Sequence, residues 1–259
     1  MKEPDIVLVG TGNVATHLAR ALRHRLIAVC SRTPEHARDL AETVGVGQWG
    51  ALADVRTYSP SIIIVSVADN AIDSLVAAIG KDERQPLVLH TSGSVPKERL
   101  EPISRRTGVL YPLQTFSRQT DVDMSKVPFF TEAAFAEDYA AIDSLAQEIS
   151  GICHHADASQ RRKLHIAGVF SSNFIVEMLY ITQKVLGTES YPLDTVRPLV
   201  EATVAKVFEV GPYGALTGPA VRGDKAVMEA QSNALEDDEK AIYDLVSNYI
   251  IKTHDVRLK

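Results

Sequence analysis

Three groups of residues in this 259-residue chain have the types and spacing for chemistry. The first is Gly10-Thr11-Gly12-Asn13-Val14-Ala15, which directly follows the apolar run Ile6 to Val9. In that order Gly10 permits a sharp turn, Gly12 lets a backbone approach a pyrophosphate, and Ala15 lets a helix sit close on the preceding strand. Phosphates would rest on the helix N-terminus, where unpaired amides and the helix dipole favour negative charge. The second group, Ser31-Arg32-Thr33, ends the next apolar run, Leu26 to Cys30. An NAD site places a carboxylate about there, to accept from the ribose hydroxyls. This chain has none: Arg32 is able to stack on adenine and pair with a 2′-phosphate, and Ser31 and Thr33 add donors, so NADP is the expected cofactor. The alternative is that Arg32 is a solvated loop cation.

Hydride transfer needs the nicotinamide and a substrate carbon face to face, with a proton donor for the atom that gains charge. The nicotinamide end would reach the tips of later strands, Val67-Ala68-Asp69-Asn70 and His90-Thr91-Ser92-Gly93. Backbone at Val67, Ala68 and Asp69 would serve the cofactor, and the Ser92-Gly93 turn offers a hydroxyl and N–H groups to a substrate carboxylate. The third group lies in a long apolar stretch, where His165 is followed by Gly168, Ser171, Ser172 and Asn173. Small polar residues inside a buried helix need partners and allow close approach of a ligand or another helix. His165 alone among them exchanges a proton near neutral pH. Seven residues on, Ser172 shares its face, and Asn173 lies roughly 80° away at 3.6 residues per turn, so both border one cavity. A satisfied structural histidine is the bland alternative.

These groups must be positioned by alternating strands and helices. Apolar runs predict strands at 6–9, 26–30, 46–49, 61–66, 86–90, 108–111, 127–131 and 152–155, with helices at 34–44, 71–79 and 135–149 between them. Thr33 is placed to cap the helix from Pro34. Such alternation predicts an α/β fold, a doubly wound and mostly parallel sheet over residues 1–156, with ligands at the carboxyl ends of the strands. From Asp157 strand signals stop, and helices are expected at 159–186, 192–210, 224–235 and 238–252, with 216–223 as a loop. Residues 157–259 thus read as an all-helical domain that binds substrate and dimerises, since the long helix carries more apolar surface than one small domain covers.

A net charge of −6 argues against electrostatic nucleic-acid binding. No apolar run approaches the roughly 18 residues of a membrane helix, and Met1 to Gly10 runs directly into the first strand without a leader, which predicts a cytoplasmic protein. Cys30 and Cys153 are far apart and fall in or beside strands, so neither a disulfide nor a metal site is expected.

The stretches GTGNVATHLA, CSRT, SVADNAI, HTSGS, YPLQTF, LHIAGVFSSNF and LTGPAVRGD carry a resemblance that extends over nearly the whole chain. Through them the chain resembles a bacterial family of Rossmann-like proteins with a helical C-terminal domain of unassigned function, related to 6-phosphogluconate dehydrogenase, ketopantoate reductase and pyrroline-5-carboxylate reductase. The resemblance implies an NADP-dependent oxidoreductase acting on a small molecule. In ketopantoate reductases a helix lysine donates the proton and an asparagine eight positions later touches substrate; His165 and Asn173 hold that spacing here, without the lysine. Hydroxyacid dehydrogenases of the group set a Ser-Gly turn against the substrate, similar to Ser92-Gly93. Proline-forming reductases carry a C-terminal loop like LTGPAVRGD, which makes Thr217 and Arg222 possible substrate contacts. The missing lysine keeps a second class open, a non-catalytic NADP-binding sensor, and ketone and imine substrates stay undivided.

Overall fold

A computed structural model describes residues 5–187 and 191–254. The expected direct entry of the N-terminus into the first strand concerns residues 1–4, outside the described residues. Eight strands form one sheet: Ile6–Val9 (β1), Leu26–Cys30 (β2), Trp49–Gly50 (β3), Ile62–Val65 (β4), Leu87–His90 (β5), Thr107–Pro112 (β6), Phe129–Ala133 (β7) and Cys153–His155 (β8). Their spatial order is β3-β2-β1-β4-β5-β6-β7-β8, and every neighbouring pair is parallel except β6 with β7. The chain moves outward from β1 through β2 to β3, then returns to place β4 on the other side of β1. That reversal opens a crevice at the carboxyl ends of β1 and β4, the usual ligand position in such sheets.

The central strands are apolar throughout because both faces are covered. Ile6 and Leu8 join one buried cluster with residues of Asn13–Ala21 (α1), Pro34–Val44 (α2) and Tyr139–Ile149 (α4). Val7 and Val9 point the other way, into a cluster with residues of Ile72–Ile79 (α3). Val46 does not begin a strand as expected: its N–H closes the end of α2 on Ala41 O at 2.8 Å and its side chain is buried against that helix layer, so pairing starts only at Trp49. Thr33 occupies the N-cap position of α2 but makes no side-chain capping bond.

The helical residues run from Ala158 to Leu186 as Ala158–Gly168 (α5), a π-turn at Val169–Asn173 and Phe174–Leu186 (α6). Asp157 and Gln160 form a reciprocal capping box at the start of α5. The expected second helix becomes Arg197–Ala215 (α7), broken at Gly211, whose φ of 79° precedes Pro212. The expected loop at 216–223 contains a short helix, Pro219–Arg222 (α8), before Lys225–Ser232 (α9) and Asp237–Thr253 (α10).

The chain divides into two compact units, Met1–Ser172 and Asn173–Lys259. The last strand, β8, ends at His155, and α5 belongs to the first unit. The described residues of the second unit are helical, and Lys184 of α6 pairs there with Glu239 of α10. Ala220 is the only buried apolar residue among them, while Phe208, Leu245, Tyr213 and Leu199 are strongly exposed. The run Ala158–Leu186 also has an 18-residue window of mean hydropathy 1.4, long and apolar enough to cross a membrane. The count of uninterrupted apolar residues missed it because serines, Asn173 and Glu177 are interspersed.

Candidate active site

At the crevice, β1 ends in Gly10, whose φ of +119° is one that side chains rarely adopt. A Cβ there would stand 2.1 Å from Ser66 O, so the close approach of the turn to the end of β4 also requires glycine. Gly12 is the N-cap of α1; nothing lies within 4 Å of where its Cβ would be, and the helix has neither an acid in its first turn nor a side-chain cap. The first amides of α1 are thus open to an anion.

A cavity of about 270 Å³ joins Gly10, Thr11 and Gly12 to Ser31, Arg32 and Thr33 and to Val67 and Ala68. Arg32 is exposed and, among the described residues, has no carboxylate partner. Ser31 is buried, and its hydroxyl is used within the turn, donating to Thr33 O at 2.5 Å and accepting from Thr33 N at 3.2 Å. Its part is to hold Arg32 and Thr33 in place. His36, on the first turn of α2, also lines the cavity; sequence reasoning missed it, although its position three residues past Thr33 was the available signal. Asn13, Val14 and Asp69 do not line this cavity. Asn13 instead donates to Phe116 O at 2.9 Å, and Asp69 opens a 3-10 turn, Asp69–Ala71. An open helix start, an acid-free strand tip and a cation beside two hydroxyl residues fit a phosphorylated dinucleotide.

The second centre lies past the ends of β5 and β6. The Ser92 N–H donates to His90 Nδ1 at 3.1 Å, and Ser92 Oγ accepts from the N–H groups of Ser94 and Val95 at 3.0 and 3.1 Å. The hydroxyl expected to face substrate therefore spends its acceptor capacity on its own turn, which leaves the Gly93 N–H as the turn's amide not used within it. Tyr111, buried near the end of β6, has its Oη 3.2 Å from His165 Nδ1, with the rings edge to face at 6.2 Å. Gly93 makes this pairing possible, because a Cβ there would stand 2.8 Å from Tyr111 Cζ and 3.0 Å from His165 Cβ. Burial, and then the charge of Asp69, push the Tyr111 hydroxyl up, so it stays protonated. Tyr111 was missed in the sequence. It lies 54 positions from His165, and only the fold joins them.

Behind this pair stands a buried polar set. Arg161, one turn before His165 on α5, is fully buried and bonds to Glu132, to Ala156 O at 3.1 Å and to Val95 O at 3.2 Å. Lys97 completes the set by pairing with Glu132 at 2.6 Å. Burial, reinforced by the Arg161 charge, pushes His90 down to about 3, which keeps its Nδ1 an acceptor at neutral pH.

Asn173 ends the π-turn and precedes α6 as its N-cap, in the second unit. The π-turn at Val169–Asn173 means that the 3.6-residue count placing Ser172 and Asn173 relative to His165 does not hold past Val169. Thr217 and Arg222 also lie in the second unit, either side of the positive-φ Gly218, and Arg222 ends α8.

A doubly wound sheet with a glycine turn at its switch point, and a titratable pair past the neighbouring strand tips, defines a dinucleotide-dependent oxidoreductase. Comparison with known proteins agrees. Residues 5–92 match a family described as NADP oxidoreductase coenzyme F420-dependent, and residues 127–250 match a domain of unknown function, DUF2520. A Bacteroides fragilis protein provisionally named an NADP oxidoreductase is 39% identical, covering 98% of this chain and 99% of its own, with a TM-score of 0.88. Protein TM1727 from Thermotoga maritima is 21% identical over 97% of this chain and 100% of its own, with a TM-score of 0.79. An imine reductase from Myxococcus stipitatus, solved with NADP+, shares the fold at a TM-score of 0.67 and 15% identity, over 96% of this chain and 93% of its own. No curated protein matches the chain. The chain belongs to the NADP oxidoreductase family that the Bacteroides fragilis protein represents, with DUF2520 as its C-terminal domain. Its cofactor is NADP.

Proposed function

We propose that the chain transfers a hydride between NADP(H) and a small carboxylate-bearing carbonyl, hydroxyl or imine compound, with His165 as the proton-exchanging group. The observation that carries this reading is the Tyr111–His165 contact of 3.2 Å beside Gly93. Bound NADPH supplies the hydride. Thr11, Gly12 and the first amides of α1 would hold the pyrophosphate, Arg32 and Thr33 the 2′-phosphate, and Val67 and Ala68 the ribose beyond.

In the neutral imidazole the Tyr111 O–H donates to Nδ1 and leaves the Nε2–H outward. In the imidazolium the bond reverses, with Nδ1–H donating to the Tyr111 oxygen and Nε2–H aimed at the substrate oxygen or nitrogen. After Nε2 gives up its proton the imidazole is neutral and Tyr111 is unchanged, so charge balances. The Gly93 N–H is the turn's donor for a substrate carboxylate, and Ser92 of the same turn borders the substrate. Turnover in the reductive direction therefore requires the protonated imidazole.

The imine chemistry named for the Myxococcus stipitatus protein places cyclic imines beside keto acids in the first screen. NADPH oxidation against that panel, repeated with His165→Ala, tests the reading. Turnover is expected to drop roughly 10²- to 10⁴-fold with NADPH affinity unchanged. Full turnover and an unaltered pH profile in the variant would show the histidine to be structural.

The exposed apolar residues of the second unit, with Ala220 alone buried among its described apolar side chains, support a homodimer. Light scattering is expected to give twice 28.3 kDa, and a monomer at micromolar concentration refutes it. Two free thiols, Cys30 and Cys153, suit a reducing cytoplasmic compartment.

A further inference from the structure

The connection from β6 to β7 lies over the start of α1. Asn13 Nδ2 donates to Phe116 O at 2.9 Å, and His17 Nε2 meets Ser117 O at 2.9 Å. The His17 and Phe116 rings are 5.1 Å apart, and Arg20 approaches Asp121 at 3.6 Å. Between these anchors Arg118, itself exposed, reaches across to α1, and its guanidinium donates to Thr11 O within the glycine turn.

This is an awkward place for a cation. The N-terminal end of a helix carries partial positive charge, and α1 offers no acid in its first turn. Among the described residues Arg118 has no carboxylate partner; one backbone carbonyl is its only hydrogen-bond acceptor. A guanidinium and a helix start brought together become favourable when an anion lies between them, and a diphosphate carries two negative charges.

We propose that Arg118 is a cofactor-binding residue, delivered by the strap formed by residues 113–126 to the pyrophosphate of the dinucleotide. The strap is latched to α1 through Asn13 and His17, which holds Arg118 beside the glycine turn. The proposal rests on the NADP assignment and not on any substrate.

The pyrophosphate is common to NADPH and NADH, whereas the 2′-phosphate is not. Arg118→Ala is therefore expected to weaken both cofactors by a similar factor, roughly 10- to 100-fold for a lost charge-assisted contact, leaving the preference for NADPH unchanged. Calorimetric titration of the full chain with each dinucleotide reads this directly. Wild-type binding of NADPH is the control that separates failure of this proposal from failure of the cofactor assignment. Trypsin supplies a second readout on the wild type: cleavage after Arg118 slows when NADPH is added. Arg118→Lys keeps the charge without the fork and is expected to fall between wild type and the alanine variant. If Arg118→Ala binds both dinucleotides within twofold of wild type, the residue is only a latch on Thr11 and the proposal is overturned. Loss of NADPH affinity alone overturns it too, since that would place Arg118 on the 2′-phosphate.

Discussion

Gly93→Ala adds one methyl group at the point where Tyr111 and His165 meet. The backbone tolerates the change, because Gly93 lies outside the positive-φ region that resists side chains. The obstacle is space. The new Cβ would stand 2.8 Å from Tyr111 Cζ, 3.0 Å from Tyr111 Cε2 and 3.0 Å from His165 Cβ. Carbon atoms sit comfortably at about 3.5–4.0 Å, so the ring, or α5 with its histidine, must retreat by roughly 1 Å. The Tyr111–His165 bond is already 3.2 Å long, at the outer edge of good geometry, and a further retreat breaks it.

Overpacking of this size costs about 1–3 kcal/mol of stability, which in a chain of this length lowers the melting temperature by roughly 2–12 °C. A misplacement of about 1 Å at a reacting group costs roughly 10²-fold in turnover. The cofactor cavity at residues 10–12 and 31–33 is untouched, so NADPH titration is expected to match wild type. Tyr111→Phe removes the hydroxyl and keeps the ring. If Gly93→Ala acts through that hydroxyl, the double variant loses no more turnover than Gly93→Ala alone. Wild-type melting temperature and wild-type turnover in Gly93→Ala would refute the reasoning, as would fully additive losses in the double variant.

Arg32→Ala is expected to weaken NADPH roughly 10- to 100-fold and NADH much less, by the loss of a charge-assisted contact; equal losses for the two dinucleotides in a titration would count against a 2′-phosphate role. His90 titrates near 3 in the native protein against about 6.5 unfolded, so the unfolded chain binds a proton that the native one refuses, and stability falls as pH drops below 6.5. Urea unfolding is expected to lose about 2 kcal/mol between pH 7 and pH 5 through this group, a slope that His90→Asn removes; identical slopes in the two proteins would rule it out. Arg161→Ala strands Glu132 with Lys97 as its remaining cation, and a cost of up to about 3–5 kcal/mol is expected by chemical denaturation, a neutral effect being the refuting result.

The βαβ opening was legible residue for residue: β1, β2 and α2 begin and end where the apolar runs, the glycine turn and Pro34 place them. Both faces of the central strands are buried, so uninterrupted runs such as Ile6 to Val9 allow few other readings. The helical half was legible only in outline. A π-turn has no compositional mark, and the residues at 169–173 satisfy an α-helical pattern as well as a π one. The contact between Tyr111 and His165 was not legible at all. Tyr111 reads as one more apolar residue of β6, and nothing nearby in the chain announces His165. Phe116, Ser117 and Arg118 read as loop, yet they lie on α1, joined to it by hydrogen bonds between residues about 100 positions apart. The fully buried Arg161 was equally hidden, since in SQRRKLH it looks like part of a solvated basic run.

That buried arginine shows how the fold reaches its chemistry. Taking a guanidinium out of water costs several kcal/mol, which Glu132 and two carbonyl groups offset without a clear surplus, so the residue is a poor stabiliser for its size. What it does contribute is direction. An apolar side chain in its place would hold α5 against the sheet at any of several rotations, because dispersion contacts have little angular preference. The planar fork must instead meet Glu132 of β7 and Val95 O together. Val95 ends the turn that contains Ser92 and Gly93, and His165 lies one helical turn after Arg161. The same guanidinium thus sets the turn and the histidine against each other, and Gly93 supplies the clearance that lets Tyr111 complete the contact.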